Sequence, residues 1–195
     1  MLASITPLGE RARQANWRTT AAIYVVASAG GGAAIGALGG LLGTLALGGV
    51  GVRWRLAGVA ALLAAGLAWE LRHGTVPGPR RQVNERWLGR YRSWVYGLGF
   101  GAQLGAGIST VVVSSAVYVV VAAAFASAQP QTGAVIGAAA GALRGATVLA
   151  SVRVKSPERL IALHARMRTL HGPVRWSALA AQLALAGLAI VAVAG

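Results

Sequence analysis

The chain has no cysteine and no aspartate, and its four glutamates stand against eighteen lysines and arginines. Without cysteine there can be no disulfide, no thiolate metal ligand and no thiol redox chemistry by the chain itself. The acids Glu10, Glu70, Glu85 and Glu158 are scattered, so no carboxylate pair suited to acid–base catalysis is apparent. Histidine is equally sparse. His164 and His171 are seven apart and can share a helix face, but no acid or third ligand accompanies them and no metal site is expected. No GxSxG, HExxH or phosphate-loop pattern occurs. The expectation is therefore a non-enzyme without a cofactor. Charge as a whole is also scarce, at 11% of residues, which is too little to cover the surface of a soluble domain of 195 residues.

What is present is apolar sequence. Stretches at 20–47, 55–71, 94–125, 133–150 and 174–194 carry most of the 56% hydrophobic content. Several exceed the roughly 20 residues needed to cross a bilayer core about 30 Å thick. They predict an all-α, polytopic transmembrane helical bundle of five spans, forming one domain over 1–195. The first apolar stretch runs well past Ala27-Ser28-Ala29, so an uncleaved span is expected rather than a cleaved leader.

The basic residues divide between the loops. Three arginines precede the first stretch, six lie between the second and third, and six basic residues lie between the fourth and fifth. The first turn has only Arg53 and Arg55. The positive-inside rule then predicts a cell-membrane protein with a cytoplasmic N-terminus, cytoplasmic loops at 72–92 and 151–175, and the C-terminus outside. The net charge of +14 sits in these short loops rather than along a soluble face. Its expected partners are the bilayer and anionic lipid headgroups, not nucleic acid.

Both cytoplasmic loops read as amphipathic surface helices, over 80–92 and 157–170. Val83, Trp87 and Tyr91 form the first stripe; Leu160, Leu163, Met167 and Leu170 form the second, after the start signal Ser156-Pro157-Glu158. Docking to another protein is the alternative use of each.

Glycine recurs at every fourth position in three stretches. Gly32, Gly36 and Gly40 lie in the first, Gly97, Gly101 and Gly105 in the third, and Gly133, Gly137, Gly141 and Gly145 in the fourth. That spacing aligns them on one helical face, where another backbone can approach closely. These three spans are expected to form the packed centre, and such seams also suit a membrane-protein partner or a second copy. Gly32-Ala33-Ala34-Ile35-Gly36-Ala37 resembles Gly133-Ala134-Val135-Ile136-Gly137-Ala138, in spans of opposite direction. This is the pattern of an inverted repeat. Extended upstream, the repeat calls for a break near residues 28–32, which makes six segments the alternative to five.

Arg144 is the only charged residue well within a span, and charge at that depth needs a partner, an aqueous path or a reach to the headgroups. Glu70 is its best counter-ion. Gln103, Ser109 and Thr110 interrupt the third stretch, and a bend at 105–107 would turn the last two toward a midplane cavity.

The order of a glycine-rich first span, a basic loop and a second glycine-rich set resembles the DsbD/CcdA-type thiol-electron carriers. The resemblance implies an inverted three-plus-three helix core over 20–194. That family works through two intramembrane cysteines, usually beside prolines. This chain has no cysteine, and neither its first nor its third stretch holds a proline, so no functional residue carries over. The expected function is that of a small transporter-like protein or permease subunit. The alternative is a non-catalytic accessory of another membrane protein.

Overall fold

The structure is a computed structural model that describes residues 5–74, 87–107 and 115–194. Its elements are α1 (Pro7–Ala12), α2 (Trp17–Leu47), α3 (Val52–His73), α4 (Trp87–Arg90), α5 (Ser93–Gly105), α6 (Ala116–Ala126), α7 (Pro130–Ala146) with a 3-10 turn at Thr147–Ser151, and α8 (Pro157–Ala194). The fold is all-helical, with no strand among the described residues. Three helical segments, Trp17–Leu47, Val52–His73 and Pro130–Ser151, are long and apolar enough to cross a bilayer, which is the signature of a membrane protein.

Three element boundaries differ from the sequence reading. First, α2 runs unbroken for 31 residues through Gly30, Gly31 and Gly32. The interruption near 28–32 that six segments require is absent. Without water to compete for the backbone, a glycine run keeps its helical hydrogen bonds. Second, the stretch 94–125 is carried by two helices rather than one. α5 ends at Gly105, and Gly107 takes a φ of +72°, a conformation glycine adopts without strain. Third, the segments 157–170 and 174–194 belong to a single helix of 38 residues with Pro173 inside it. Proline there removes one backbone donor, yet the chain on both sides remains helical. Of the 80–92 segment, residues 87–90 form one helical turn and 80–86 lie outside the described residues.

The described residues fall into two compact units, one within 1–33, 81–110 and 138–171, the other within 34–80, 111–137 and 172–195. In the first unit, α2 and α5 run parallel. Gly97, Gly101 and Gly105 lie against Thr20, Tyr24 and Ser28 in turn, and a Cβ on Gly101 would overlap the Tyr24 carbonyl. Gly105 also lies against the backbone of Gly32. α7 runs antiparallel to α2 here: the Ser28 hydroxyl donates to the Gly141 carbonyl at 2.7 Å, and Gly145 abuts Val25. Ile5, Ala21, Tyr24, Tyr96, Phe100, Leu104 and Val148 form the apolar core. The N-terminal segment is pinned to the end of the 3-10 turn. Leu8 N–H donates to the Val154 carbonyl at 3.1 Å, and the Ser151 hydroxyl donates to the Ile5 carbonyl at 3.1 Å.

In the second unit, Gly36 packs against Gly133 and Gly137, Gly40 against Gln129, and Gly43 against Phe125. Here α3 packs along α6. The buried stripe of α3 is Ala60, Leu63 and Leu67; that of α8 is Leu179, Gln182 and Ala186.

Candidate functional site: charged side chains at helix ends

A helix that stops inside apolar surroundings leaves carbonyls at its C-terminus and N–H groups at its N-terminus without intrahelical partners. Its dipole favours a cation at the first kind of end and an anion at the second. In the first unit, α5 ends at Gly105, and the half-buried Arg144 extends one guanidinium nitrogen to the Leu104 carbonyl at 3.4 Å. In the second unit, α6 begins after Ser115. Both the N–H and the hydroxyl of Ser115 donate to Glu70 Oε2, at 2.9 and 2.8 Å. Glu70 and Ser115 are each only 2% exposed. The two halves of the interrupted stretch thus meet side chains of the sign that each end calls for.

Arginine serves the same purpose at two further ends of the second unit. Arg55 donates to the carbonyls of Ala126 and Ser127, at 3.2 and 3.0 Å, where α6 stops. Arg175 donates to the Glu70 carbonyl at 3.2 Å, in the last turn of α3. The Ser115 hydroxyl also lies 2.7 Å from Gln182 Oε1 on α8.

Of the residues singled out from sequence, Arg144 and Gln103 lie in the first unit and Glu70 in the second. Gln103 is half-buried, one residue before the carbonyl that Arg144 reaches. Ser109 and Thr110 lie outside the described residues. Arg144 and Glu70 each have polar partners within their own unit.

Glu10 is the residue that sequence reasoning passed over. It is fully buried in the first unit, 0% exposed. Arg13 donates to its Oε1 at 2.6 Å, Thr20 donates to its Oε2 at 2.8 Å, and the Tyr96 hydroxyl lies 2.7 Å from both oxygens. Burial alone would lower the Arg13 guanidinium, but its bonds to Glu10 and Tyr96 outweigh that and hold its pKa above the ordinary value. A signal was available. Thr6-Pro7 is an N-cap followed by a first-turn proline, and Thr6 does accept the Gly9 N–H at 3.1 Å, setting Glu10 on a short helix facing the bundle. At the start of α8, a bond to Ser156 depresses the exposed Glu158 carboxyl.

Two openings accompany these groups. A groove of about 560 Å³ in the first unit is lined by Ile23, Val26, Gly30, Gly31 and Leu98. A cavity of about 300 Å³ in the second lies between α3 and α6, with Ser115 in its wall. Among the described residues no group of three His, Cys, Asp or Glu could hold a metal ion.

No protein-family model, no curated protein and no solved structure matches the chain.

Proposed function

We propose that the chain is a small transporter-like protein or permease subunit of the cell membrane, built on five spans. The observation that carries this reading is the interrupted third stretch, with Arg144 at the end of α5 and Glu70 at the start of α6. Helices that break at membrane depth beside charged groups are a recurrent way of building solute and ion sites. A purely structural span has no need of the break, because a continuous helix satisfies its own backbone.

The five-span topology has three supports. The unbroken α2 counts against six segments. The parallel run of α2 and α5 agrees with first and third spans of one direction, and the antiparallel α7 agrees with a fourth span of the other. The bonds of Leu8 to Val154 and of Ser151 to Ile5 suit an N-terminus on the side of the basic 151–175 loop. The first turns of α8, with Arg159, Arg166 and Arg168 beside exposed Ile161, Met167 and Leu170, suit the headgroups of an anionic leaflet.

Alternating access can be tested before any cargo is known. The chain has no native cysteine, so Gln103→Cys gives a single reporter beside the α5 end. A transporter exposes such a position in turn to both sides, and a membrane-impermeant maleimide is expected to label it in both right-side-out and inverted vesicles. Labelling from one side only, or from neither, would favour the alternative of a static accessory that binds another membrane protein through its glycine faces or cytoplasmic helices. That alternative in turn expects a stable partner on purification in mild detergent.

A further inference from the structure

The buried Glu10 draws several chain segments together at one end of the first unit. Thr20 in the first turn of α2 and Tyr96 near the start of α5 both bond its carboxylate, and Leu8 on the same short helix donates to the Val154 carbonyl. Each segment brings exposed cations: Arg11 on α1, Arg18 on α2, Arg92 just before α5, and Arg153, Lys155 and Arg159 at the passage into α8. Val154 is only 3% exposed, so it anchors that passage and leaves its basic neighbours outside. Arg159 donates to the Arg153 carbonyl at 3.2 Å, which holds its charge against the same segment. Among the described residues none of these cations is in an ion pair. Glu10 is 0% exposed and bound to Arg13, and the exposed Glu158 bonds Ser156. Like charges assembled in this way by packing repel one another, and an anion relieves the repulsion.

We infer that this end of the first unit binds one phospholipid carrying two phosphates, Arg11 serving one phosphate and the 153–159 set the other. The Leu8–Val154 bond joins the two segments that carry these cations. Guanidinium groups pair phosphate oxygens two at a time, which suits a surface made almost wholly of arginine. Two phosphates on one molecule engage both sets while only a single lipid is ordered, whereas singly charged lipids must be ordered one by one. A lipid is favoured over a soluble phosphate by the rings beside the cations. Tyr91 and Trp94 flank Arg92 and are exposed, and amphipathic rings of this kind belong at headgroup level. From the same end α2 leads directly into a span long and apolar enough to cross a bilayer. The inference deepens the headgroup contact proposed for α8, and it rests on the five-span reading only for which leaflet supplies the lipid.

The test does not depend on topology. The full chain in mild detergent is titrated with tetraoleoyl diphosphatidylglycerol, and native mass spectrometry counts the lipids retained. One lipid per chain is expected, held about tenfold tighter than dioleoyl phosphatidylglycerol at equal phosphate. Arg11→Gln and Arg153→Gln should each weaken it about fivefold, through loss of one cation beside the phosphates. Arg53→Gln, which removes an exposed charge in the second unit, should leave it within about twofold. Equal unfolding midpoints for the three variants show that the fold is kept. Equal weakening by Arg11→Gln and Arg53→Gln would overturn the inference in favour of diffuse attraction, as would equal affinity for the singly charged lipid. Full competition by the deacylated headgroup would overturn the lipid assignment and leave a site for soluble phosphodiesters. Retained lipid together with labelling of Ala12→Cys by an impermeant maleimide on intact cells would keep the site and reverse the orientation. No retained lipid, with Ala12→Cys unlabelled, would remove the site and keep the orientation.

Discussion

Arginine outnumbers every other charged residue in this chain, and at three helix ends it is employed as a cap. Arg144, Arg55 and Arg175 each reach main-chain carbonyls at or near the ends of α5, α6 and α3. The fixed fork of the guanidinium offers several donors at once, which suits neighbouring carbonyls at a helix end better than a lysine ammonium does. Removing Arg144 therefore has a definite expected cost. The folded and unfolded helices share the same lipid or detergent, so the expense of holding a charge at depth largely cancels. What remains is the loss of one hydrogen bond to the Leu104 carbonyl, which the Gly107 N–H still bonds at 3.1 Å, worth about 0.5–1.5 kcal/mol. Arg144→Leu should lower the thermal unfolding midpoint in detergent, and Arg144→Lys should recover part of the loss through its remaining charge. An unchanged midpoint for Arg144→Leu would rule out the capping role and leave Arg144 free for a ligand.

At the scale of elements, the glycines differ more in their surroundings than in their spacing. Gly101 lies on the Tyr24 carbonyl, while nothing comes within 4 Å of Gly30, only a helix face away from the seam. Gly101→Ala should force α2 and α5 apart at a cost of about 1–3 kcal/mol, the range for overpacking. Gly30→Ala should be neutral or stabilising by up to about 1 kcal/mol, from helix propensity alone. Unfolding midpoints of the two variants, measured side by side in one detergent, decide the matter. Equal effects would mean that the close α2–α5 approach is not the determinant of stability. Elements also show where local signals mislead. Ser156-Pro157-Glu158 marks the start of α8 as its sequence suggests, but Pro173 does not end the helix, because no competing structure is offered to the residues after it.

For the molecule as a whole, the side of the membrane occupied by the N-terminus is the decisive unknown that a reagent can reach. Ala12→Cys on the exposed face of α1 and Gly51→Cys between α2 and α3 provide two single-cysteine reporters. Five spans predict that an impermeant maleimide added to intact cells labels position 51 and not position 12. Labelling at both would reverse the end to which the N-terminal segment belongs and reopen the six-segment arrangement.

Composition and periodicity alone determined the helical class and the membrane setting, because a run of apolar residues about 20 long has few ways to satisfy its backbone other than a helix in lipid. The loop arginines likewise predict an orientation without any coordinates, one that the labelling of positions 12 and 51 tests. Glycine spacing named a face on each of three apolar stretches, yet which faces meet is a pairwise property that no single stretch carries; the alignment of Gly97, Gly101 and Gly105 with Thr20, Tyr24 and Ser28 belongs to the tertiary structure. So do the partners of the charges. Glu10 is one of four scattered acids until Arg13, Thr20 and Tyr96, the last lying 86 residues away, converge on it. For Glu70 and Arg144, which the sequence suggests as counter-ions, the tertiary structure adds a helix end to each, the start of α6 and the end of α5. Buried polar groups must be satisfied by whatever the fold brings within about 3 Å, and that proximity is set by the packing of whole helices, not by the order of residues along any one of them.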